Sequence, residues 1–199
     1  MDPMPQRRRR DPDAKRAALH AAAIAVLAEQ PWQAVSVADI AARAGVAVGT
    51  YYRFYPTKMA LIEALSDTLE GEFVAAMDAA WATPAPYPKR IDALAHALFA
   101  LIAARAQAIA VMAITAGHRA PGSKPMGDII RAGIARLYAD GVAHGGFAAH
   151  SAHDFAAAAH GLVDGLMQRY FTDPGPARQQ ELAALLALML RRLAGVEGK

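Results

Sequence analysis

Glycine and proline punctuate this 199-residue chain so regularly that what lies between them is of helical length and little else. Asp13 is a candidate cap for a helix from Ala14 to Glu29, where Ala18, Leu19, Ala22, Ala23, Ala25, Val26 and Leu27 recur at helical spacing. Gln30-Pro31 ends it. Ser36 is placed to cap a short helix through Ala44, with Asp39 at its third position, where an acid suits the helix dipole. Gly45 supplies the left-handed residue that stops that helix, and Ala47 to Tyr52 forms the next. Tyr55-Pro56-Thr57 breaks the chain again, and Thr57 caps a long helix from Lys58 to about Trp81.

Further helical runs are expected over 89–104, 106–117, 126–144, 152–171 and 177–194. They are separated by the Pro-rich stretch 82–88, the loop from Arg119 to Pro125, the pair Gly145-Gly146 with Ser151 as a cap, and the turn 172–176. Composition agrees. Alanine, the strongest helix former, is a quarter of the residues, and aromatics are only 7%. The expected fold is all-α, with nine helices.

With 55% hydrophobic and 20% charged residues the chain can bury a core. It has no cysteine, which removes disulfides, thiol catalysis, Cys-ligated zinc and iron–sulfur ligation from consideration. No segment reaches the roughly 18 uncharged apolar residues of a membrane helix, Ala106 to Gly117 coming nearest. The N-terminal charges precede a periodic helix rather than a secretory core, so the expectation is a cytoplasmic protein with no membrane partner.

The net charge of +3 is unevenly placed. Residues 1–58 carry nine basic groups against five acidic ones, while the remainder is near neutral. That pattern suggests a polyanion-binding head on a neutral body. Within the head, two short helices meeting at Gly45, with small Ala41, Ala42 and Ala44 where they cross, have the mechanics of a helix-turn-helix over about 36–55. The second helix would enter the major groove. Val48, Gly49 and Tyr51 are suited to apolar or close contact with bases, and Thr50, Tyr52 and Lys58 to phosphate oxygens.

The stretch from Val35 to Lys58, VSVADIAARAGVAVGTYYRFYPTK, followed by Ala60-Leu61, resembles the TetR family of transcriptional regulators, and the resemblance extends over residues 13–73. It implies a DNA-binding head over 13–73 and a helical ligand-binding and dimerisation body over 74–199. Residues 1–12 would form a flexible arm whose Arg7, Arg8, Arg9 and Arg10 reach the DNA backbone or minor groove. Ser36, Val37 and Arg53 join Val48, Gly49, Thr50, Tyr51, Tyr52 and Lys58 in the candidate DNA-facing set. One departure from the family pattern is Ala47, where a Ser or Thr cap is usual.

The resemblance further implies a homodimer on a palindromic operator in double-stranded DNA, usually as a repressor, released by a small effector. The last two helices fit the dimer contact. Ala158, Gly161 and Gly165 allow close approach on one, and Leu182, Leu185, Leu186, Met189 and Leu193 form a stripe on the other. Candidate effector-lining residues are Phe73, Met77, Trp81, His96, Phe99, Met112, Thr115, Tyr138, His160, Asp164 and Met167, a mixture suited to an apolar or amphipathic ligand. The long helix from Lys58 would be the lever between ligand and DNA. No cofactor, metal or catalytic group is expected.

A rival reading comes from His150, His153 and Asp154. The His153-Asp154 pair resembles the dyad of helical HD-type metal phosphohydrolases, with His96 or His118 upstream and Asp164 or Asp173 downstream as further ligands. Such a site needs four ligands to converge.

Overall fold

The computed structural model describes residues 11–118 and 127–196. Among these it forms nine α-helices, one 3-10 turn and no strand, in keeping with the all-α expectation. The helices are α1 (Pro12–Glu29), α2 (Val37–Arg43), α3 (Val48–Phe54), α4 (Lys58–Trp81), α5 (Tyr87–Ala104), α6 (Ala106–Thr115), α7 (Asp128–Ala143), α8 (Ala152–Thr172) and α9 (Pro176–Leu193); the 3-10 turn Ala116–His118 follows α6. The basic arm Arg7 to Arg10 and the loop from Arg119 to Pro125 lie outside the described residues.

The helix ends follow local chemistry. Ser36 and Asp39 form a reciprocal capping box on α2, the Ser36 amide donating to Asp39 Oδ2 (2.8 Å) and the Asp39 amide to Ser36 Oγ (3.2 Å). The Ser36 hydroxyl, donating to Asp39 Oδ2, and then the Ser36 amide hold the Asp39 carboxyl below the usual carboxylate range. The cap of α1 is Asp11, whose carboxylate accepts from the Asp13 amide, not Asp13 itself. Pro12 explains the shift, because its fixed φ and missing N–H suit the first helical position. Ala47 does stand at the start of α3 without a side-chain cap.

The chain divides into two compact units, with the boundary inside α4 between Leu65 and Ser66 and the described stretch from Ala110 to His118 returning to the first unit. In the first, α1 packs on α2 and α2 on α3 around Leu19, Val26, Leu27, Ile40 and Tyr51, all buried. In the second, α5 packs along α9, α7 along α8, and α8 against α9.

The apolar stripe of α9 is largely consumed inside its own unit. Leu182 and Leu186 are fully buried, together with Ala183, Ala187 and Leu190. This corrects the expectation that Leu182 and Leu186 face a partner; the pairing of α9 with α5 buries them first. Leu185, Met189 and Leu193 stay half-buried, and Leu188 is exposed. Among the described residues no single helix is long and apolar enough to cross a membrane.

Candidate nucleic-acid interface

Rigidity at the α2–α3 corner comes from Gly45, whose φ of +66° places it in the left-handed region. Its N–H bonds to the Ala42 carbonyl (3.1 Å) and that of Val46 to the Ala41 carbonyl (3.0 Å), the paired bonds of a Schellman ending. A bidentate Arg43–Glu29 pair (3.1 and 2.6 Å) joins the ends of α2 and α1, and its hydrogen bonds lower the Glu29 pKa and raise that of Arg43. Arg43 is thereby committed within the head.

From this corner α3 presents a two-sided surface. Val48 (42% exposed), Gly49, Tyr52 (53%) and Arg53 face outward, and Thr50 is half-buried. Tyr51 does not join them. It is 0% exposed, its ring meets Tyr52 and Tyr55 edge-on, and its hydroxyl donates to the Thr57 carbonyl at 3.1 Å. Burial pushes its pKa far up. The expectation that Tyr51 contacts bases is therefore corrected: it is the core anchor of α3. At 100° per residue, a helix that shows 48, 49, 52 and 53 must hide 51.

Lys58 also differs from expectation. Its ammonium donates to the carbonyls of Trp32 and Val35, both at 2.6 Å, and sits 4.0 Å from the centroid of the Trp32 ring. Two of its three N–H donors thus clamp the loop between α1 and α2 onto the start of α4. Burial draws its pKa below the ordinary lysine value. Ser36 and Val37 begin α2, Ser36 exposed and Val37 half-buried, and the Ser36 hydroxyl is engaged with Asp39 at 2.6 Å.

No side-chain carbon occupies the position beside Gly49, and a Cβ built there has no atom within 4 Å. Gly49→Ala should therefore stabilise the free head by about 0.5 kcal/mol, through the lower backbone entropy cost of alanine. If the bare backbone serves close approach to DNA, the same substitution will weaken DNA binding. Thermal unfolding and gel-shift titration of one variant separate the two effects; a rise in both stability and affinity would remove Gly49 from the contact face.

His20 Nε2 lies 2.9 Å from the buried Tyr55 hydroxyl. Burial, then the charge of Arg16, lowers the His20 pKa below the ordinary histidine value of 6.5. The unfolded chain therefore binds this proton more readily than the folded head. The stability it contributes is complete above pH 6.5 and is lost as pH falls through the window below that value. Denaturant titrations between pH 5 and 8 should show this acid loss in the natural chain and a flatter profile in His20→Gln; identical profiles would exclude His20 as its source.

The second unit holds an apolar cavity of about 40 Å³. Trp81 and Tyr138 line it, together with Phe147, Phe155, Leu137 and Ile134, which the sequence reading had not singled out. The other expected lining residues are elsewhere. Phe73, Met77 and Phe99 are core residues off this wall. Met112 and Thr115 belong to the first unit, and the Thr115 hydroxyl bonds the Val111 carbonyl (2.8 Å) of its own helix. His96 is exposed, its Nδ1 2.8 Å from the Asp92 carbonyl. His160 pairs with Asp164 at 3.2 Å, and Met167 is half-buried off the wall.

His150, His153 and Asp154 do not converge as metal ligands: all three are exposed, and the Asp154 amide is taken by the Ser151 cap. Among the described residues no group of three or more His, Asp or Glu side chains is placed to hold a metal ion.

Fold and helix order together define an all-α architecture with an N-terminal helix-turn-helix and a C-terminal helical unit. Residues 19–65 match the family model for bacterial regulatory proteins of the tetR family. The fold is shared along nearly the whole chain with solved relatives. A bacterial regulatory protein of the tetR family from Rhodococcus RHA1 is 22% identical, with a TM-score of 0.73, over 92% of this chain and 98% of its own. The fatty acid degradation regulator FadR from Bacillus halodurans is 20% identical, with a TM-score of 0.72, over 93% and 97%. FadR from Bacillus subtilis, solved in complex with stearoyl-CoA, is 18% identical, with a TM-score of 0.70, over 92% and 99%. No curated protein matches the chain.

Proposed function

We propose that this protein is a cytoplasmic homodimeric repressor that reads a palindromic operator with α3 and leaves it when a small apolar molecule enters the second unit. The observation that carries the reading is the outward face of α3, where Val48, Gly49, Tyr52 and Arg53 are free while Tyr51 locks the helix from behind. Apolar and bare-backbone groups at Val48 and Gly49 suit base edges, and Thr50, Tyr52 and Arg53 supply donors to phosphates. The arm Arg7 to Arg10 would add sequence-independent attraction. Ser36 and Val37 are placed as flanking contacts at the start of α2, and Lys58 keeps one N–H for a phosphate beside the two it spends on the loop.

Dimerisation is assigned to the outward faces of α8 and α9. Ala158, Gly161 and Gly165 are exposed, and a Cβ built on either glycine meets nothing, so a partner helix can approach closely. Leu185, Leu188 and Met189 supply apolar surface on α9. Two heads related by a two-fold axis would fit two half-sites about one DNA turn apart. For release, α4 offers one continuous helix from Lys58, bonded to the loop carbonyls, to Trp81, on the cavity wall. A ligand acts through it only by binding one conformation better than the other.

The test is to mix the full protein with fragments of its own genome, recover bound DNA and sequence it, beside a Tyr52→Ala/Arg53→Ala variant. Enrichment of a short inverted repeat by the natural chain alone is the expected result. Unselective recovery, or the same fragments from both proteins, would refute the assignment of α3.

A further inference from the structure

The leading end of α3 carries no polar side chain. Ala47 stands just before the helix and Val48 and Gly49 are its first two residues; all three are exposed, Val48 to 42%. A Cβ built on Gly49 meets nothing within 4 Å, so the surface beside Val48 is open. The first polar side chain, Thr50, is half-buried, and Tyr52 and Arg53 stand a full turn or more behind the tip. The flanking cations are held elsewhere, Arg43 by Glu29 and Lys58 by the carbonyls of Trp32 and Val35. Along its whole length, VGTYYRF, the helix has neither an amide side chain to pair with adenine nor a carboxylate to accept from cytosine.

The leading residues of a recognition helix are the ones that reach base edges. In the major groove those edges are nitrogen and oxygen groups, and thymine alone among the four bases adds a carbon group, its 5-methyl. Pressing Val48 onto a polar edge would strip that edge of water with no hydrogen bond in return. Against a 5-methyl group both partners lose apolar surface to each other, which is favourable.

We infer that Val48 reads the 5-methyl group of a pyrimidine in each half-site, on thymine in plain DNA and on 5-methylcytosine where cytosine is methylated; the inference rests on the proposed reading of α3 as the recognition helix. Ala47 and Gly49, with one carbon and none beyond their backbones, leave the methyl room to close on the Val48 side chain. At this position the half-site is selected by apolar contact. Unmethylated cytosine is disfavoured twice over, because it lacks the methyl and brings an amino group that Val48 cannot pair.

The test uses the full protein and the inverted repeat selected from genomic fragments. Each thymine of a half-site is replaced in turn by deoxyuridine, which removes the 5-methyl and leaves every hydrogen-bonding atom in place. In anisotropy titrations at one salt concentration, one thymine per half-site should bind about fourfold more weakly for the loss of its methyl, and about 15-fold when both half-sites are altered. Val48→Ala, a change at an exposed position, should weaken binding to the thymine repeat and erase the difference between thymine and deoxyuridine at that position. At the same position 5-methylcytosine opposite guanine should bind about fourfold more tightly than cytosine opposite guanine, which separates the methyl from the base that carries it. The inference is overturned if no thymine responds to deoxyuridine, if Val48→Ala keeps the full penalty, or if methylated and plain cytosine bind alike. Failure to select any inverted repeat refutes the reading of α3 and the inference with it, whereas a selected repeat indifferent to its methyl groups refutes the inference alone.

Discussion

Tyr51→Ala should unfold the DNA-binding head, and Tyr52→Ala, one residue on, should leave the head folded and abolish DNA binding. Tyr51 is fully buried, touches two other rings and bonds the Thr57 carbonyl. Removing a buried aromatic ring typically costs about 3–5 kcal/mol, a large share of the 5–15 kcal/mol that holds a small domain together. Tyr51→Phe keeps the ring and loses only the hydroxyl, so its cost should be about 1 kcal/mol. Tyr52 is more than half exposed, and losing its edge contact with Tyr51 should cost about 1 kcal/mol, too little to unfold the head. Circular-dichroism melting and gel-shift titration on all three variants decide the matter. A Tyr52→Ala protein that melts far below the natural chain, or a Tyr51→Ala protein that stays folded, would reverse the roles given to the two residues.

Lys58→Met should lower both stability and DNA affinity, which distinguishes a clamp from a simple phosphate contact. Methionine keeps the aliphatic stem and removes the ammonium from two carbonyls and one indole face. Bonds to a charged donor are worth more than neutral ones, but this site is partly open to water, so a total loss of about 2 kcal/mol is the reasonable scale. A residue that only met a phosphate would leave the melting temperature alone and reduce the salt dependence of binding by about one phosphate's worth. The clamp predicts a lower melting temperature together with weaker binding, through a loosened α1–α2 loop. Unfolding curves and affinities at several salt concentrations read both quantities; an unchanged melting temperature would return Lys58 to a purely DNA-facing role.

How far the sequence led is clearest at α2 and α3. Ser36, Asp39 and Gly45 act within a few residues of themselves, so capping box and left-handed turn were legible before any coordinates. The uncapped Ala47 was legible for the same reason. At α1 the cap is Asp11 instead of Asp13 because Pro12 takes the first helical position. Separating Tyr51 from Tyr52 required knowing which way α3 faces, a property of its packing against α2 and not of two identical letters. Lys58 was misread because its carbonyl partners lie more than twenty residues upstream. The body was harder still. Residue type alone marks Trp81 and Tyr138 as wall residues, while the signal for Phe147 lies in the glycines around it, Gly145-Gly146 beside it in sequence and Gly141 against its ring. Leucines on α9 could not declare whether α5 or a second molecule covers them.

The first compact unit is discontinuous in the chain, since it takes in the stretch from Ala110 to His118, and within it Gln33 bonds His118 (3.1 Å) while the Trp32 ring lies 5.6 Å from that imidazole. During synthesis these partners emerge roughly fifty residues after Leu65, a delay of several seconds at about 5–20 residues per second. A nascent chain thus carries its recognition helix outside the ribosome well before the unit around it is complete, and a fragment cut just after the helix-turn-helix would keep the reading surface but lack Lys58 and His118.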